Sequence, residues 1–61
     1  MFEVWMAIRY SGSQHLDGLE DYDERIVDDI ETKDQADRWL NVLTGLYASN
    51  HTYSFFIKEL V

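Results

Sequence analysis

The chain has 61 residues, with twelve Asp and Glu against five Lys and Arg, a formal charge of −7, and neither Cys nor Pro. That charge argues against direct binding to nucleic acid or to an anionic membrane, which both recruit Lys and Arg, and the missing Cys removes disulfide staples and thiolate zinc sites. The length allows a single domain, 1–61, burying only about 60 % of its unfolded surface, while 46 % hydrophobic and 15 % aromatic residues are too many for a disordered segment.

In chain order, Phe2, Val4, Met6, Ile8 and Tyr10 alternate with Glu3, Trp5, Ala7 and Arg9, the two-residue period of a strand over about 2–10. Trp5 and Ala7 make the second face partly apolar as well, which predicts a central strand. The same segment carries Glu3 and Arg9 and lacks a basic start, so it matches neither a signal peptide nor a membrane span, and a cytoplasmic location is the expectation. Residues 11–24 are polar, with Gly12 and Asp17-Gly18 as turn signals, and are expected to form a long hairpin connection.

A second strand is predicted over 25–31, where Ile26 and Ile30 share a face with Asp28 between them. Matching the apolar faces sets Ile30 near Met6 and Ile26 near Tyr10, and brings Asp28 close to Ile8. That conflict calls for a bulge or for an edge strand that tolerates an inward charge. Thr32-Lys33-Asp34-Gln35 is a capping-box signature, opening a helix over about 33–48. Its apolar stripe is Ala36, Trp39, Leu40, Leu43, Leu46 and Tyr47, with Asp34 and Arg38 spaced to pair on the wet side. The last strand spans about 52–60, with Tyr53, Phe55 and Ile57 on one face and Ser54, Phe56, Lys58 and Leu60 on the other.

These elements predict an α+β fold, ββαβ, with a three-stranded antiparallel sheet in the order 2-1-3 and one helix on one face. The expected core is Val4, Met6, Ile8, Tyr10, Ile26, Ile30, Trp39, Leu40, Leu43, Leu46, Tyr53, Phe55 and Ile57. The other face is expected to lie open, presenting Trp5, Ala7, Val27, Phe56 and Leu60.

No constellation in the sequence specifies a reaction. Asp17-Gly18 with Asp21 and Asp23 lacks the ligand order of a calcium loop. His15 and His51 have no spaced histidine partner, and Ser11, Ser13, Ser49 and Ser54 lack a nucleophile elbow. Phosphate-loop and dinucleotide motifs are absent. The expectation is a chain that is not an enzyme and has no catalytic residue, metal or cofactor. What the sequence does concentrate is charge, with ten carboxylates between Asp17 and Asp37, offset by Arg25, Lys33. The candidate partner-binding residues are therefore the aromatic anchors Trp5 and Phe56 and the carboxylates Asp17, Glu20, Asp21, Asp23, Glu24, Asp28 and Asp29.

Two strands, a capped helix opening Glu31-Thr32-Lys33-Asp34, a closing strand and an acidic surface together resemble the small acidic proteins that bacteriophages make to disable host machinery, among them inhibitors of host RNA polymerase and anti-CRISPR proteins. The resemblance is one of architecture over the whole length, and no family binding residue maps onto a position here. It implies a stoichiometric inhibitor that mimics nucleic acid and occupies a basic surface of a host enzyme, in the host cytoplasm. The alternative is a structural homo-oligomer in which open sheet faces meet.

Overall fold

Alternation in the first ten residues does produce a strand. In the computed structural model, which describes residues 1–60, β1 spans Phe2–Ile8 and is hydrogen-bonded on both sides. Its antiparallel partners are β2 (Tyr22–Ile30) and β3 (Tyr53–Glu59), so the sheet order is β2-β1-β3. A short helix, α1 (Gly12–Leu16), lies between β1 and β2, and the long helix, α2 (Lys33–Leu46), between β2 and β3. The α+β class, the strand order and the single covering helix are thus as the sequence predicts.

The pairing of β1 with β3 is regular, with Val4 opposite Ile57, Met6 opposite Phe55 and Ile8 opposite Tyr53. Two further backbone bonds extend it, Arg9 N–H donating to the Thr52 carbonyl and Leu60 N–H to the Met1 carbonyl, both at 2.8 Å. Val4, Ile30 and Ala36 form the buried centre, with Phe2, Val27, Leu43 and Ile57 packed around it. Val4 and Ile8 are the large side chains fully removed from water. Truncating Ile8 to Ala costs about 2–5 kcal/mol, a large share of the roughly 3–9 kcal/mol available to a chain of this length.

β2 departs from the expected register. Ile30 pairs with Phe2 and Met6 with Glu24, because β2 is irregular twice: between Phe2 and Val4, and between Val4 and Trp5. The first irregularity sets Asp28 and Asp29 against Glu3, and the second accommodates Ile26 as an extra residue. The bulges resolve the Asp28 conflict by exposing it, and they also rotate Val27 to the helix side and Ile26 outward into solvent. Asp29 adopts φ 55°, a left-handed conformation that Asp tolerates better than most residues.

The polar stretch after β1 is more ordered than a hairpin connection. Ser11 N–H and Ser11 Oγ both donate to Gln14 Oε1, at 2.9 and 3.1 Å, at the start of α1, and β2 begins at Tyr22, earlier than 25. α2 starts as expected, with Thr32 Oγ accepting from Gln35 N–H at 3.2 Å, and ends at Leu46, two residues short of the expected boundary. It packs chiefly on β3 and β1, where Tyr47 meets Tyr53 and Phe55 at ring-centroid distances of 5.6 and 5.5 Å. Trp39 and Leu46, expected in the core, are exposed. Gly45, in the last turn, weakens the helix by about 1 kcal/mol relative to Ala.

The molecule is thin, 40 × 24 × 11 Å, with a radius of gyration of 13.1 Å. A compact chain of this length has about 10.5 Å. At the bulge, Asp29→Val should lower stability by about 1–2 kcal/mol, since a β-branched residue resists the left-handed conformation, while Asp29→Gly should stay within about 1 kcal/mol of the parent. Urea unfolding measures both, and a Val variant as stable as the parent would contradict the assigned bulge.

Candidate functional site

Two surfaces carry the chemistry that the sequence singles out. The first is the free edge of the sheet, formed by β2 and the turn that leads into it. β-strand rise gives these nine residues a length of roughly 30 Å. Asp17, Glu20, Glu24, Asp28 and Asp29 are all exposed there and make no ion pair among the described residues.

Two other carboxylates of the row are engaged. Asp23 pairs with Arg9 at 2.8 Å. Asp21 is held at 2.8 Å both by the His15 ring Nε2 and by the Tyr10 backbone N–H, so it staples α1 and the end of β1 to the start of β2. The His15 hydrogen bond does most to hold the Asp21 carboxyl below its usual range, with the Tyr10 N–H next, against a smaller opposing effect of burial.

The second surface is the sheet face away from α2, and it differs from the apolar face expected. Glu3 is only 6 % exposed and sits at its centre. Glu3 Oε1 accepts from Trp5 Nε1 at 3.0 Å and Oε2 from Arg25 Nη1 at 3.1 Å. The Trp5 ring stacks on Phe56 at 6.3 Å, and Lys58 Nζ lies 4.9 Å from the Trp5 ring centroid. Trp5, Arg25, Phe56 and Lys58 thus form an aromatic and ionic layer around a carboxylate, with Ala7 buried beside it. Val27 leaves this face through the bulge.

The Trp5 hydrogen bond is the main cause of a Glu3 carboxyl held below the usual range; burial opposes it, and Arg25 and Lys58 assist. Because the indole N–H is committed to Glu3, Trp5 serves the fold. Phe56, 37 % exposed, is the more accessible of the two proposed anchors.

The predicted binding residues therefore do not form one patch. In the β1–β2 register Asp23 lies opposite Ala7, on the Trp5 face, whereas Glu24 lies opposite Met6, on the helix side. Asp28 and Asp29 lie near the Phe2 end of the edge, and Asp17 and Glu20 beyond the Ile8 end. What unites the carboxylates is the edge, and Trp5 and Phe56 are set back from it on β1 and β3. Among the described residues no three His, Asp or Glu side chains converge as metal ligands. No helix of the described residues is long and apolar enough to cross a membrane.

Sequence reasoning missed one further surface, a depression of about 390 Å³ lined by Gln35, Arg38, Trp39 and Val42 on the outside of α2. The signal was present: Trp39, Val42 and Leu46 repeat at helical spacing, each one residue before the core-facing Leu40, Leu43 and Tyr47. No protein family, curated protein or solved structure matches the chain.

Both lowered carboxyls bind protons less readily in the folded than in the unfolded chain. Their pairings therefore stabilise the fold fully above the ordinary carboxylate range, about pH 4, and that contribution is lost as pH falls through the lowered values. Carboxyl NMR titration should show Trp5→Phe raising the Glu3 pKa and His15→Ala raising that of Asp21, each leaving the other in place. A Glu3 titration unchanged by Trp5→Phe would contradict the assigned hydrogen bond.

Proposed function

We propose that the chain is a non-catalytic, stoichiometric inhibitor that binds a basic surface of a host nucleic-acid-handling enzyme, an RNA polymerase or a CRISPR-type nuclease. The observation that carries this reading is the set of exposed carboxylates along the free edge of β2, of which Asp17, Glu20, Glu24, Asp28 and Asp29 make no ion pair among the described residues. A basic groove evolved for phosphates presents the complementary field, and long-range attraction between the two raises the association rate. The flattened shape, much shorter along one axis than along the other two, supports the same reading, since a flat molecule can enter a groove edge-on. Phe56 lies on the adjoining face, where an apolar contact slows dissociation once the edge is seated.

The experiment is a pull-down of the tagged chain from bacterial lysate at low and high salt, followed by binding kinetics on the retained protein. One basic nucleic-acid enzyme should be retained at low salt and shed at high salt. Neutralising Glu24 and Asp28 together, as Gln and Asn, should slow association by roughly two- to ten-fold and flatten its salt dependence. Phe56→Ala should act mainly on dissociation. Retention of no basic partner, or binding indifferent to salt and to those substitutions, would sink the proposal.

A further inference from the structure

Outside the acidic edge, α2 carries a second apolar flank. Leu46 is 73 % exposed, Val42 57 % and Trp39 46 %, and all three lie on one side of the helix, rotated by about 100° from the side that meets the sheet. A folded monomer of 7.2 kDa exposes about 4,100 Å², whereas this chain exposes 4567 Å². The chain thus exposes more surface than a compact monomer of its mass, and the α2 flank is one of the places where that surface is apolar.

We propose that this flank is the contact surface of a symmetric dimer, in which α2 packs antiparallel on α2 of a second copy with the two-fold axis at Val42. In that arrangement residues equally far before and after Val42 meet, and Val42 meets itself. Trp39 stands three positions before Val42 and Gly45 three after it; Arg38 stands four before and Leu46 four after. Each indole then lies against the partner's helix at a position with no side chain, and each Arg38 stem covers the partner's Leu46.

Gly45 supports a second copy as the occupant on independent grounds. It does not adopt a positive φ, and a Cβ built there meets nothing within 4 Å. Nothing inside the chain requires a glycine in this helical turn, whereas a close-packed indole does. Charge favours the same surface. Two chains of −7 repel one another, and the residues lining this flank include Arg38 and no carboxylate. The opposite sheet face instead carries the Glu3, Arg25 and Lys58 layer, whose charges an apolar contact would have to desolvate.

Sedimentation equilibrium on the purified chain, from about 10 µM to about 1 mM at low and high salt, tests the proposal. The mass should rise from 7.2 kDa toward twice that value with concentration, and high salt should preserve or strengthen the association by screening like charges. Gly45→Leu and Val42→Arg should each weaken it by about ten-fold or more. Leu is a better helix former than Gly, so the Gly45→Leu chain should keep its helical circular dichroism, and its loss of dimer cannot be unfolding. Phe56→Ser should leave the dimer intact.

A monomer at every concentration would overturn the inference, as would a dimer insensitive to Gly45→Leu or one abolished by Phe56→Ser. Failure here is distinguishable from failure of the inhibitor reading. The dimer resists salt and depends on α2, while docking of the acidic edge is salt-sensitive and survives Val42→Arg.

Discussion

A single fourteen-residue helix has to cover a three-stranded sheet, and it reaches only two of the strands well. α2 sits over β1 and β3, fixed at its C-terminal end by Tyr47 against Tyr53 and Phe55, and touches β2 least. The thinness of the molecule, the small core around Val4, Ile30 and Ala36, and the exposure of Tyr22 on β2 all follow from that placement. So does the treatment of the uncovered face. With no helix over that face among the described residues, β1 cannot be apolar on both sides, and Glu3 supplies the polar centre to which Trp5 and Arg25 are tied.

β2 pays for its position at the edge with irregularity. Two bulges and a left-handed Asp29 bend it away from ideal pairing, and its exposed carboxylates repel any further strand. The same two features disfavour pairing of the edge with a further strand and leave a charged rim in solvent. The acidic edge and the apolar flank of α2 are distinct surfaces, so the proposed α2 contact would leave the proposed docking edge exposed.

Fold class was legible because each covering element announces itself locally. The alternation of β1 and β3 and the Thr32 cap are short-range signals, and the two-sided hydrophobicity of β1 places it at the centre. Asp28 between Ile26 and Ile30 signalled a bulge in β2, but its register was not legible, since the number and place of bulges depend on how the two strands twist together, and no glycine marks them. α1 was overlooked although Ser11-x-x-Gln14 has the same spacing as the Thr32 signature, because Gly12 and the polar run read as a turn. On α2, a stripe wide enough to include both Trp39 and Leu40 shows that the helix is amphipathic, but only the sheet beneath it decides which half is buried. Of the candidate site, the exposed carboxylates were readable from composition, whereas the commitment of Trp5 to Glu3 depends on two residues projecting from the same side of one strand and meeting around a long-range Arg25 contact.

One apolar flank of α2 is left uncovered within the chain and is the surface of the proposed dimer, while the hydrogen bond to Glu3 holds Trp5 in the sheet face. The two indole N–H groups test both halves in one experiment, because Trp39 lies on the flank and Trp5 is bonded to Glu3. In amide and indole NMR spectra recorded over increasing protein concentration, the Trp39 indole and the Gly45 amide should shift together while the Trp5 indole stays fixed. A Trp5 resonance that moves with concentration, or a Trp39 resonance that does not, would contradict the account.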